Sequence, residues 1–288
     1  MATSYKSWAV LGLSTTLLGG IGLAACGNDQ GSVSPESEAS QPAEATPSSA
    51  GLVDEIDVTS TPVRAEGGEG EGGVNIAAAG EDPAVYLSAL AVVEAHIRAG
   101  IDALDAGERK AAAEMFAHPV SEILFDLEPV LRQQGVAPFE QKLIDASHGV
   151  FGGESDDALR ARASDIIATI RQAGEFAPKG QADDVTIKAR VIADEIDRAI
   201  AQYMSARNSD AYEPYLDGYG FYKTAESLMI DNAEAIAADA PAFHQQAETV
   251  LSALSEAYPS ARRPAALGAD ASHLAVLNSG LQLELSGL

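Results

Sequence analysis

The sequence predicts an all-α protein, a multi-helix bundle behind a disordered N-terminal tether. Three observations carry this reading. Apolar residues recur at steps of three and four over long segments between residues 82 and 258. Gly, Pro and capping residues punctuate those segments where helices should begin and end. Alternation of apolar and polar residues is confined to Leu281-Gln282-Leu283-Glu284-Leu285, too isolated to build a sheet.

The first helix opens at Asp82-Pro83, an N-cap followed by proline at the first helical position. Its stripe is Tyr86, Leu90, Val93, Ile97, Ile101 and Leu104, and it ends near Gly107. A second helix is expected over 108–117. Pro119 should break or kink the chain, and a third helix covers 120–134, bent at Pro129 and stopped at Gly135. Pro138 opens a fourth, running to Val150 before Gly152-Gly153. Ser155-Asp156-Asp157 caps the next, with Ile166, Ile167 and Ile170 on its inner face. Residues 174–180 connect it to the clearest helix, 183–206, striped by Val185, Ala189, Ile192, Ile196, Ala199 or Ile200, and Tyr203. Helices over 209–238 and 241–257 complete the domain. Gly218 and Gly220 in the first of these mark a kink, a close approach, or a turn between two shorter helices. Residues 259–288 read as a peripheral tail with one short helix at 272–278. Arg98-Ala99 and Arg198-Ala199 lie 100 residues apart on the two best helices. Each is followed by a polar-aromatic segment, Ala117–Glu122 and Asp217–Tyr222; the echo reads either as two pseudo-repeated halves or as the chance likeness that any two amphipathic helices share.

The N-terminal part obeys different rules. Lys6 precedes an apolar stretch over residues 8–25, which ends in Leu23-Ala24-Ala25-Cys26. Residues 1–25 read as a secretory signal. The alternatives are a plain transmembrane anchor or an ordinary signal beside a chance cysteine; the apolar run lies at the lower edge of the roughly 18–20 residues a span requires. No later stretch is long and apolar enough to suggest a second span. Cys26 is the one cysteine of the chain. Residues 27–81 are rich in Gly, Ser, Pro, Ala, Thr and Glu, with eleven acidic residues against Arg64 alone. Such a segment buries too little apolar surface to offset its ordering entropy, so it is expected to be a tether with a reach of roughly 40 Å.

The formal charge is −25, from 18 basic and 43 acidic side chains. That balance opposes binding to nucleic acid and to anionic headgroups, and suits cations. There is no phosphate-cradling G-x-x-x-x-G-K-[ST] loop, no G-x-S-x-G elbow and no H-E-x-x-H. Nothing in the chain points to an enzyme.

Two constellations could hold a metal. Glu114, His118, Glu122 and Asp126 are spaced by four, which on an unbroken helix sets an imidazole and carboxylates along one face. That donor set suits iron, manganese or zinc. Against it, Pro119 disfavours helical geometry at His118, and the same residues would serve equally as a packed helix-end histidine beside solvated carboxylates. The second is the tyrosine stripe Tyr212, Tyr215, Tyr219 and Tyr222, continued by Glu226. Phenolate with carboxylate suits ferric iron, provided that the metal drives deprotonation; a half-buried aromatic seam explains the stripe as well. His96 lies beside the first stripe, where it packs structurally or faces His118 across the bundle. His244 and Glu248 form an exposed i, i+4 pair. His148 and His273 offer no partner.

The segment Leu23-Ala24-Ala25-Cys26 closely resembles the lipobox of bacterial lipoproteins. The resemblance implies cleavage before Cys26, acyl chains on that residue, and a lipid anchor in the cell envelope. Gly27 in place of an aspartate after the cysteine implies the outer membrane, facing the periplasm. A helical domain of this size behind a lipobox also resembles the imelysin-like envelope lipoproteins linked to iron uptake, whose hallmark is Gly-x-His-x-x-Glu. Here His118 has Glu122 one residue further on, and none of the five histidines has Glu at the hallmark spacing. Ala211-Tyr-Glu-Pro-Tyr-Leu-Asp-Gly-Tyr219 is similar to a stretch in the helical extracytoplasmic segments of oxidase-type iron permeases. Both resemblances imply iron handling. The expected function is thus a membrane-anchored helical binding module for iron or another metal, through His118, Glu122, Asp126, Tyr219, Tyr222 and Glu226. The alternative is a structural or protein-interaction lipoprotein with an envelope partner and no small ligand.

Overall fold

The computed structural model describes residues 73–288. The signal, Cys26 and the tether up to residue 72 lie outside the described residues. The described chain contains no strand. It runs through α1 (Ile76–Ala79), α2 (Pro83–Asp105), α3 (Arg109–Pro119), a π-helical turn (Val120–Leu124), α4 (Phe125–Gln133), α5 (Glu140–Phe151), α6 (Asp156–Gly174), α7 (Asp184–Arg207), α8 (Glu213–Asp239), α9 (Pro241–Ala257) and α10 (Ala271–Leu285). The starts obey the side-chain chemistry. Asp82, Ser155 and Asp183 each accept a backbone N–H of the first turn of α2, α6 and α7.

The helices form two groups of four with one neighbour scheme. In the first, α2 packs on α3 and α6, α3 on α5, and α5 on α6; in the second, α7 packs on α8 and α10, α8 on α9, and α9 on α10. The groups meet where α2 lies against α7 and α8. The repeat extends to side chains: Glu94 pairs with Arg98 at 2.6 Å on α2, and Asp194 with Arg198 at 3.0 Å on α7. The 100-residue echo of the sequence thus falls on two helices, α2 and α7, that hold equivalent places in the two groups.

By length and composition α2 would cross a membrane, contrary to the expectation that no segment after residue 26 would qualify. Most of it is instead enclosed by the other helices, with Tyr86, Ala89, Val92, Val93 and Ile97 fully buried. It is the core helix, and its apolar character on nearly every side results from having neighbours on nearly every side.

Two expected boundaries move. The end of the tether is folded: Asn75 caps α1, Val74 and Ala79 are buried, and Gln134 Nε2 donates to the Gly80 carbonyl at 3.3 Å. The C-terminal segment is integral rather than peripheral. Leu274 and Leu281 on α10 are buried, and Asn278 donates to Asp197 at 2.7 Å. The carbonyls of Ser260 and Ala261 accept the hydroxyls of Tyr215 and Tyr212, and Arg263 donates to the carbonyls of Ala206 and Ser209. Leu281 and Leu285 face the bundle while Leu283 is exposed, so the alternating pentapeptide is helical.

Pro119 and a pair of glycines in α8 set the local geometry where the two groups meet. Pro119 has no N–H to give, and the chain does not break there; it widens into the π turn, closed by the Phe125 N–H on the Val120 carbonyl. In α8, Gly218 and Gly220 sit inside one unbroken helix. A Cβ on Gly220 would lie 2.4 Å from the Ala95 carbonyl oxygen, and one on Gly218 would lie 1.9 Å from the Tyr258 hydroxyl. The glycines are thus the places where α8 touches α2 backbone to backbone and receives the Tyr258 ring.

Candidate metal centre

Four helical segments converge where the two groups meet. His96 projects from α2, His118 from the last turn of α3, Glu122 from the π turn, and Glu213 and Asp217 from the first turns of α8. The close approach at Gly220 sets α8 near enough to α2 for Asp217 Oδ1 to lie 3.8 Å from His96 Nε2. Glu122 spans both imidazoles, with Oε2 3.2 Å from His96 Nε2 and Oε1 3.5 Å from His118 Nδ1. Glu213 Oε1 lies 3.8 Å from the same His118 nitrogen. The imidazole rings meet edge to face with centroids 6.2 Å apart, and the Phe221 ring also meets His96 edge to face, at 6.0 Å.

The orientation of His96 is fixed. Its Nδ1 lies 2.8 Å from the Val92 carbonyl, an acceptor only, so Nδ1 carries the hydrogen and Nε2 faces the carboxylates. Burial by itself would lower the His96 pKa, but the Glu122 hydrogen bond and the charges of Asp217 and Glu122 outweigh it and the net shift is upward. Burial would raise Glu122, yet its bond to His96 and the charges of both histidines hold it below its ordinary value. Asp217 is pushed up to about 6, chiefly by burial, with Glu122 adding to the effect and His96 opposing it. His118 Nδ1 and Asp217 Oδ1 are both buried and make no hydrogen bond. Groups so placed are a cost to the fold unless something else engages them.

Two sets of three donors could each hold an ion: His96, His118 and Asp217, and His118, Glu122 and Glu213, with the ligand atoms of each set within 4.8 Å of one another. Imidazole nitrogen with carboxylate oxygen is the donor mixture of zinc, manganese and ferrous iron sites.

Of the residues singled out from sequence, the structure brings His118 and Glu122 together. The others lie apart from this pair. Asp126 is exposed, because the wide π turn carries α4 round and takes Asp126 off the face that His118 and Glu122 share. Glu114 pairs with Lys110 at 3.0 Å and is half exposed. The tyrosines are an aromatic seam. Tyr219 donates to Asp102 at 2.7 Å, Tyr222 to Glu226 at 2.9 Å, and Tyr222 stacks on Tyr258, which Tyr203 and Tyr215 also contact. Burial and these carboxylate acceptors push the phenols of Tyr219 and Tyr222 far above their ordinary range. Glu226 is engaged by Tyr222 and Lys223. His96, which the sequence leaves between packing and facing His118, is a central member. Asp217 and Glu213 escape sequence reasoning as donors. A signal for the first exists in Asp217-Gly-Tyr-Gly220, where two glycines announce a close approach and an aspartate sits one turn before it.

No family model, no curated protein and no solved structure matches this chain.

Proposed function

We propose that this protein is a lipid-anchored binding module of the cell envelope that holds one divalent transition-metal ion between its helices. The observation that carries the reading is the meeting of His96 and His118, from separate helices, with Glu122 and Asp217, where two donor atoms are buried without a hydrogen-bond partner. Zinc, manganese and ferrous iron fit the two nitrogen and two or three oxygen donors. Ferric iron loses its support once the tyrosines are committed elsewhere. Cys26 and the lipobox support the anchor, and the acidic segment behind them supports a domain held clear of the bilayer.

The test is equilibrium dialysis of the detergent-extracted full-length protein, stripped with chelator, against manganese, anaerobic ferrous iron and zinc. About one equivalent should bind, and His96→Ala with His118→Ala should abolish it. Uptake that the double variant leaves unchanged would place the metal elsewhere and end the proposal. Intact-mass measurement of the native protein tests the anchor, which requires loss of residues 1–25 and added acyl mass on Cys26.

A further inference from the structure

The two donor sets share His118 but lie at different depths, and this gives the centre a direction. Side-chain exposure falls from 61% at Glu213 through 24% at His118, 15% at Glu122 and 13% at Asp217 to 4% at His96. The outer set, His118 with Glu122 and Glu213, touches solvent through Glu213. The inner set, His96 with His118 and Asp217, does not include an exposed group. On the basis of the metal-binding function, we propose that a divalent ion loads in two steps: Glu213 captures the hydrated ion into the outer set, and the ion then passes inward to His96 and Asp217 while His118 remains a ligand throughout.

The residues form a continuous path. Glu213 is the first residue of α8, on the same helix as Asp217 and one turn before it, so the two carboxylates are placed in sequence along one helix edge. Glu122 reaches both imidazoles, and its Oε2 occupies the approach to His96 Nε2 at 3.2 Å. An ion held by the outer set engages Glu122 from the His118 side and draws it from His96, which opens the inner nitrogen. A buried site behind a bridging carboxylate would otherwise require the ion to shed its water in one step before meeting any protein donor. An exposed carboxylate supplies the first exchange.

Stopped-flow loading and chelator-driven unloading of cobalt(II), read through its ligand-field absorption, tests this on the full-length protein. Glu213→Gln should slow loading and unloading alike, each by about tenfold, because it removes a station that lies on both paths. Asp217→Asn should keep the fast, weak phase and lose the slow, tight one. Asp210→Asn, which removes the same charge three residues away and outside the cluster, is the control for general attraction and should change neither rate appreciably. A Glu213→Gln variant with normal rates would overturn the proposal. So would one with slowed loading and unchanged unloading if Asp210→Asn matched it, since charge alone would then explain the effect. Faster unloading in Glu213→Gln would also overturn it, by making Glu213 a ligand of the final site. A wild-type protein that takes up no cobalt, zinc, manganese or ferrous iron would instead refute metal binding itself.

Discussion

Asp217 is a carboxylic acid whose place in the fold opposes its charge. Its pKa rises from 3.8 to about 6, so its contribution to stability is fully present below the unfolded value and is lost as pH rises through about 6. The difference corresponds to roughly 3 kcal/mol at neutral pH, on the order of 1.4 kcal/mol per pKa unit. Asp217→Asn should therefore stabilise the metal-free protein at pH 7.5 by up to about 3 kcal/mol, and by little at pH 3.5. Urea unfolding at the two pH values checks this; a loss of stability at pH 7.5 would show that Asp217 serves the fold. A gain in stability on removing Asp217 would mark a group retained for something other than the fold, as the proposed metal binding requires. His96 carries the opposite charge, but its pKa is also raised, so the sign with pH is the same. Its raised pKa means that its pairing with Glu122 stabilises the fold below pH 6.5 and fades as pH rises through the higher folded value, while Glu122 loses its share only as pH falls through its own lowered value. The proposed metal ion would compete with the proton for Nε2. Adding zinc to a lightly buffered solution near pH 6.5 should release protons, and affinity should rise with pH through the histidine range; calorimetry in buffers of different ionisation enthalpy reads both.

At the scale of elements, the π turn and the α2–α8 contact decide whether the donors meet. Deleting Ser121, an exposed residue of the π turn, should let α3 and α4 join as a regular α-helix and turn Glu122 away from His96. The expected outcome is helical circular dichroism close to wild type with metal affinity reduced at least tenfold, about 1.4 kcal/mol. The Gly220 contact is harder to alter. Its neighbour is the Ala95 carbonyl, backbone that cannot swing aside, so Gly220→Ala must push α8 from α2. A loss of about 1–3 kcal/mol or more is expected, together with weaker metal binding, because Asp217 moves away with the helix. Equal stability and affinity in this variant would mean that the helices are not in backbone contact there.

At the scale of the whole molecule, the two four-helix groups make the C-terminal segment indispensable, since α10 fills in the second group the place that α6 fills in the first. Removing residues 266–288 uncovers the surfaces that bury Leu274 and Leu281, each worth about 1.5–3 kcal/mol. That is a large share of the roughly 5–15 kcal/mol by which a domain is stable. The truncated protein should melt roughly 10 °C lower or lose its cooperative transition, as scanning calorimetry would show. An unchanged midpoint would return the segment to the status of a tail.

Much of the architecture was legible in the chain because helices announce themselves locally. Asp82-Pro83, Ser155 and Asp183 state where α2, α6 and α7 begin, and the three-and-four stripes state which faces are buried. Arg98-Ala99 and Arg198-Ala199 lie on helices that hold equivalent places in the two groups. The sequence by itself determined most of the helices from α2 to α9 and their order, and it offered His118 and Glu122 as a pair four residues apart, for these depend on neighbours within a turn or two. Only the tertiary structure decided that Asp126 leaves the face His118 and Glu122 share, that the tyrosines close on one another, and that Asp217 reaches His96 across 121 residues of chain. A π turn depends on how the helix after Pro119 is packed, and a cross-helix ligand depends on how closely two backbones approach. Neither quantity has a period that can be read along the chain.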